Sequence, residues 1–146
     1  MTYLLDTCIL SKLRRMSKYS DPKLRTWIEQ HPASLYYVSV FSIAEIQAGI
    51  AKIPNEPSDR KKYKSDLEDW LFNDLVPDFE GRIIDFDLKT AHRWGSLVGE
   101  FKQKSINFPI IDSILAATAL HHELIMVTEN VADFEKTGVT IVNPWN

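Results

Sequence analysis

The segment PIIDSILAATALHH, residues 109–122, limits the folds open to this chain more than any other. Its small and branched apolar residues leave no polar face, so as a helix it must be nearly surrounded by protein. A helix of that kind belongs inside a layered architecture. It also carries a charge, Asp112, two or three residues after Pro109 and hence in its first turn. The rest of the chain has to supply both the layers and a reason for that carboxylate.

The layers come from alternation. "YLLD" (3–6) reads as a short buried strand, "SLYYVSV" (34–40) as a second ending near Ser39, and "GRIIDF" (81–86) as a third; "LIMVT" and "VTIVN" add two more. Helical patterns lie between them. "TCILSKLRRM" places Ile9, Leu10 and Leu13 on one face and bases on the other. Asp21 before Pro22 is an N-cap with proline at the first helical position, followed by a stripe of Leu24, Trp27 and Ile28. "FSIAEIQAGIAKI" follows the second strand. Ser58 is the expected cap of a helix burying Tyr63, Leu67, Trp70 and Leu71. Asp87 caps a long helix whose expected stripe is Leu88, Ala91, Trp94, Gly95, Val98 and Phe101. Strands alternating with helices imply an α/β fold, a parallel sheet of about five strands sandwiched between helices. The 146 residues suffice for one core, so a single domain, 1–146, is expected.

In such sheets ligands gather beyond the carboxyl ends of the strands, near the switch point. Asp6 ends the first strand there. It is either a turn former or the mouth of a cleft, and other acids bear on the choice. Glu45 lies on a helix among Ile43, Ala44, Ile46, Ala48 and Ile50, and Asp112 opens the most apolar helix. "TEN" (128–130) follows the fourth strand, with Asp133 just beyond. Isolated carboxylates on apolar surfaces are costly to ionise, and converging ones raise each other's pKa. A divalent cation resolves the conflict, and hard oxygen ligands suit magnesium or manganese.

Several classes are excluded. The single cysteine, Cys8, permits no intrachain disulfide and no cysteine-based metal cluster. No run reaches membrane-spanning length and no signal-peptide core precedes Lys12, so a cytoplasmic, membrane-free protein is expected. The net charge of −3 offers no global attraction for nucleic acid, which leaves local patches to provide it. No phosphate-binding glycine loop occurs. A haloacid-dehalogenase pattern would need an Asp where Cys8 stands, and a receiver pattern fails at its late strand ends. His121 and His122 close a helix, where cations complement the dipole; as adjacent residues they point apart and make a poor chelating pair.

Four segments together resemble the PIN-domain nucleases. "LLDTCILS" is similar to their first motif, an aspartate ending strand one with Thr and a small polar residue after it. "VSVFSIAEIQAGI" resembles the second, "IIDSILAATAL" the third and "VTENVADF" the fourth, which commonly reads Thr-Arg-Asn or Thr-Arg-Asp. The closing "VNPW" is also familiar from single-domain toxins of the VapC and FitB type. The likeness spans nearly the whole chain in order.

What the resemblance implies is a magnesium- or manganese-dependent endoribonuclease, the toxin of a toxin–antitoxin pair, usually a homodimer silenced by its cognate antitoxin. Asp6, Glu45 and Asp112 match the metal-binding acids, with Asn130 or Asp133 completing the fourth position. Thr7 and Thr128 are expected to orient carboxylates by hydrogen bonds. Glu129 stands where the family usually has Arg, and Cys8 where Asn or Ser is frequent. One strong and one weak metal site are expected.

Phosphate contacts are expected from Lys12, Arg14, Arg15 and Lys18, in a stretch without acids from Thr7 to Ser20, and from a second group, Lys61, Lys62 and Lys64. The faces bearing Trp70 and Trp94 are the expected source of a homodimer interface. The alternative is a catalytically weak or inactive PIN-fold binding module acting through its partner, a reading kept open by Glu129 and Asn130.

Overall fold

A computed structural model describes residues 1–146. Five parallel strands, β1 (Tyr3–Leu5), β2 (Tyr36–Ser39), β3 (Ile83–Ile84), β4 (Ile125–Val127) and β5 (Ile141–Val142), lie in the order β3-β2-β1-β4-β5. The order reverses at β1, with β2 on one side of it and β4 on the other. In register, Tyr3 faces Tyr36 and Ile125, and Leu5 faces Val127.

The pleat sorts β1 into two cores. Tyr3 and Leu5 point toward α1 (Thr7–Arg15), α2 (Pro22–Glu29), α3 (Val40–Ala51) and α4 (Ser58–Asp69), packing with Ile9, Leu10, Leu24 and Leu71. Leu4 points the other way, toward α6 (Leu88–Gln103) and α7 (Ile110–His122), and packs with Phe101, Leu115, Met126 and Phe134. Every residue of α7 from Ser113 to Ala119 is buried, as its composition requires. Its alanines allow the close approach between α7, the sheet and α6. No helix is long and apolar enough to cross a membrane.

Between β3 and α4 the helix does not end. It widens into a π-helical segment, Trp70–Leu75, and finishes as α5, Val76–Asp78. Buried Leu67, Leu71 and Leu75 recur every four residues. In a regular helix that spacing drifts by about 40° per step, and the underwound π turn takes up the drift so that all three face the core.

Four details depart from the sequence expectations. Ser58 does not cap α4: it is the first helical residue, Pro57 stands at the cap, and no side chain bonds there. Tyr63 is 43% exposed rather than buried. In α6 the core-facing residues are Thr90, Leu97 and Phe101, with Ala91, Trp94 and Val98 at the margin, whereas Leu88 and Gly95 face outward. The cap explains that shift, because Asp87 accepts bonds from both the N–H and the hydroxyl of Thr90 and so turns Leu88 away. Trp70 and Trp94 are largely covered within the chain, whereas Phe72, Leu88 and Ile110 are exposed.

Asp21 caps α2 as expected, accepting from the Leu24 N–H. It also accepts from the Trp145 indole N–H at 3.1 Å, which fastens the end of the chain to α2.

Leu115, fully buried between α7 and the sheet, measures how tightly the layers pack. Leu115→Ala is expected to cost about 3 kcal/mol and lower the melting temperature by roughly 10 °C. Thermal unfolding followed by circular dichroism checks this.

Candidate active site

Asp6 is where the carboxyl end of β1 becomes the N-cap of α1. Its N–H continues the sheet to the Val127 carbonyl, and its own carbonyl accepts from Ile9. Its side chain, 4% exposed, accepts from the Thr7 N–H at 2.7 Å, the Thr128 hydroxyl at 2.7 Å and the Cys8 thiol at 3.5 Å. Burial nevertheless pushes its carboxyl above the ordinary range, against those three donors and with the Glu45 charge adding to it.

The two threonines act differently. Thr128 is buried, and its hydroxyl both donates to Asp6 and accepts from the Asn130 N–H at 2.9 Å. Thr7 touches Asp6 only through its backbone. Its hydroxyl donates to Ser42 at 2.9 Å, tying α1 to α3. Ser42 is buried one turn before Glu45, so this bond fixes where Glu45 emerges. Nothing in the residue pattern distinguished Ser42 from the other serines near strand ends.

Glu45 is exposed at the rim, its helix burying Ile46 and Ile50 instead. Asp112 is half-buried in the first turn of α7. That turn is pinned by Ser113, which donates to the Ile110 carbonyl and accepts from the Trp94 indole N–H at 2.8 Å. A helix N-terminus alone would hold the Asp112 carboxyl low. Burial and the charges of Asp6, Asp133 and Glu45 outweigh it and push the group up to about 6.

Acids from three other segments thus act on Asp112. Asp133, in α8 (Val131–Glu135), is one of them. Asn130 is exposed at the cap position of α8, and its side chain makes no capping bond. As they stand, no three of the chain's His, Cys, Asp and Glu side chains close into one cage. Unscreened like charges oppose that closure. The donor set is nevertheless all hard oxygen with excess negative charge, which suits a small divalent cation rather than a soft metal.

The cation missing from position 129 comes from another element. Lys12 Nζ pairs with Glu129 at 3.0 Å and lies 4.6 Å from the Trp145 ring centroid. Lys12 is therefore already engaged. Arg14 is half-buried, whereas Arg15 and Lys18 are exposed. The Cys8 thiol is pushed up to about 12 by burial and the Asp6 charge, which makes it inert as a nucleophile. His121 and His122 stand at the opposite end of α7 from Asp112, with His122 held low by burial.

The PIN domain family model matches residues 3–139. The chain belongs to the PIN domain family. Its relatives include the VapC ribonuclease Y4jK of Sinorhizobium fredii, 28% identical over 141 residues, which cover 97% of this chain and 96% of that protein. Toxin FitB of Neisseria gonorrhoeae is 28% identical over 143 residues, 98% of each. This PIN domain also superposes on the crystal structure of FitAcB from Neisseria gonorrhoeae with a TM-score of 0.85 and 28% identity, over 99% of both chains. Against DNA-bound VapBC from Salmonella typhimurium the TM-score is 0.70 at 22% identity, over 99% of this chain and 98% of that one, a likeness of fold.

An acid that holds its proton more tightly folded than unfolded stabilises the fold below its folded pKa and loses that contribution as pH rises. For Asp112 the window runs from about pH 4 to pH 6. In chelator, acidifying this PIN domain from pH 7 to pH 5 is expected to add about 1 kcal/mol, discounted for partial exposure, or roughly 3 °C. Asp112→Asn is expected to raise the melting temperature at pH 7 and flatten the profile. Melting curves at several pH values check both.

Proposed function

We propose that this chain is a metal-dependent endoribonuclease, the toxin of a toxin–antitoxin pair restrained by its cognate antitoxin, and a homodimer. The observation that carries the nuclease reading is the convergence of acids from separate elements at the sheet's switch point: Asp6, buried at the end of β1, lies near enough to Asp112, half-buried in the first turn of α7, for its charge to raise that carboxyl. The names of the relatives, a VapC ribonuclease and Toxin FitB, support it. The antitoxin partner is supported by the likeness to the solved FitAcB of Neisseria gonorrhoeae, the organism of Toxin FitB, and the homodimer is what the resemblance to such toxins implies.

Asp6, Asp112 and Glu45 would hold the principal magnesium or manganese ion, with Asp133 favoured over Asn130 for the fourth position because its charge already acts on Asp112. When bound, the ion supplies Lewis-acid activation of water and neutralises charge at the phosphate. The chain's residues do the rest. Thr128 and the Thr7 N–H fix the Asp6 carboxylate so that it faces the site in one orientation. Ser113 and Trp94 hold the first turn of α7 and with it Asp112. Lys12 neutralises Glu129 at the rim, so that this acid does not repel a passing phosphate backbone. The binding-module alternative has Asn130 in its favour but leaves the buried acids without a purpose.

The test is cleavage of total cellular RNA by the purified, partner-free protein in magnesium, manganese or chelator. Cutting is expected only with metal, and Asp112→Asn is expected to lower it at least roughly 100-fold. Thr128→Val, which leaves every acid in place, is expected to weaken metal affinity about 10- to 100-fold, read by manganese titration. Failure to bind manganese at all would leave the acids as strand and helix ends and return the chain to the binding-module reading.

A further inference from the structure

The second half of α1 and the turn after it form one wall of a cleft of about 730 Å³, and α4 faces them across it. Arg15 and Lys18 line it as exposed cations. Two tyrosines line it as well, Tyr19 at 69% exposure and Tyr63 at 43%. The helical pattern of α4 would have buried Tyr63; in the structure it is turned outward instead. The guanidinium of Arg14 lies 6.0 Å from the Tyr63 ring centroid and 5.8 Å from that of Trp70, so a planar cation is seated between two rings at the cleft wall. Two acids line the cleft, Asp21 and Asp66, against four cations, Lys12, Arg14, Arg15 and Lys18; Asp21 is turned to the Leu24 N–H and the Trp145 indole.

The cleft and the carboxylates share α1, which Asp6 caps. Lys12 lines its near end and bonds Glu129, the residue after Thr128. From Asp6 the nine residues of α1 span about 13 Å, the reach of a few nucleotides.

We infer that this cleft is a substrate subsite for unpaired nucleotides of single-stranded RNA. Bases stack on Tyr63 and Tyr19, and the adjoining phosphates pair with Arg15 and Lys18. Exposed aromatic rings interleaved with cations suit a flexible strand whose bases are free to turn outward, and do not suit a duplex whose bases are already stacked. A hydrophobic protein segment would find only Met16 and the ring faces to rest on. The identity of the ligand as RNA rests on the nuclease reading above.

The experiment is binding of a short labelled RNA of mixed sequence, single-stranded or annealed as a blunt duplex, to the full chain in chelator, read by fluorescence anisotropy over a salt series. The single strand is expected to bind more tightly than the duplex. Tyr63→Ala is expected to weaken it roughly 5- to 100-fold while Tyr63→Phe retains affinity, since stacking needs the ring and not the hydroxyl. Replacing Arg15 and Lys18 together by Gln is expected to lower the salt slope by about 1.4. Melting curves verify that each variant is folded.

Equal affinity for duplex, or unchanged affinity in a folded Tyr63→Ala, overturns the subsite. So does a Tyr63→Ala variant that loses its co-expressed partner protein but binds RNA normally, which would assign the cleft to that partner. RNA that binds through the tyrosines yet is never cut in magnesium or manganese would sink the nuclease reading and leave the subsite standing. RNA cut normally by variants with unchanged binding would do the reverse.

Discussion

Much of this structure depends on one buried carboxylate being held in place without being neutralised. Asp6 joins the sheet to Val127, starts α1, and takes three donors into its side chain. Three hydrogen bonds to a carboxylate would ordinarily pull its pKa down. Here burial wins and the net shift is upward. The protein has oriented a charge while leaving it underpaid in solvation, an arrangement that costs stability unless a cation arrives.

The other acids sharpen that condition. Asp112 sits at a helix N-terminus, the backbone's own source of positive potential, and is still pushed up to about 6. No lysine or arginine pairs with any of the four acids; Lys12 on α1 pairs with Glu129 instead. The replacement of the family's usual Arg by Glu is thereby offset across two elements. The Lys12 ammonium cancels the Glu129 charge at the rim, and Trp145 confines it there.

The layered fold was legible because its signals were local and redundant. Five short β-rich runs, two Asp caps and one helix apolar all round are each read from a few neighbours. The strand-end position of Asp6 followed from the same alternation. What was not legible required tertiary information. Ser58 looks like a cap, but the chain enters α4 through Pro57 and leaves the serine inside the helix. The stripe of α6 was misplaced because Thr90, a polar residue, is turned inward by its bonds to Asp87, and Leu88 goes outward in consequence. Tyr63 stands four residues before Leu67 and so fits a buried stripe, but it lies on the regular part of α4, where that spacing drifts around the helix, and it emerges exposed. Asp6, Glu45, Asp112 and Asp133 were each visible as acids in context. Which of Asn130 and Asp133 acts on Asp112, and that Ser42 and Ser113 position their neighbours, depends on contacts between distant segments.

The same contacts tie four helices together around a few charged atoms. Ser42 binds α1 to α3 one turn from Glu45, and Ser113 binds α6 to α7 beside Asp112. Each buried serine lies within three residues of an acid on its own helix, so the hydrogen bond that packs two helices also sets the direction of a carboxylate. Removing either hydroxyl would leave a half-buried partner without its bond, at a cost of about 1 kcal/mol, more than a surface polar residue is worth. Packing and site geometry are therefore not separable here. A substitution that loosens α6 from α7 moves Asp112 before it unfolds the domain, because the first turn of α7 has no side-chain cap of its own and relies on Ser113 and Trp94 to stay in place.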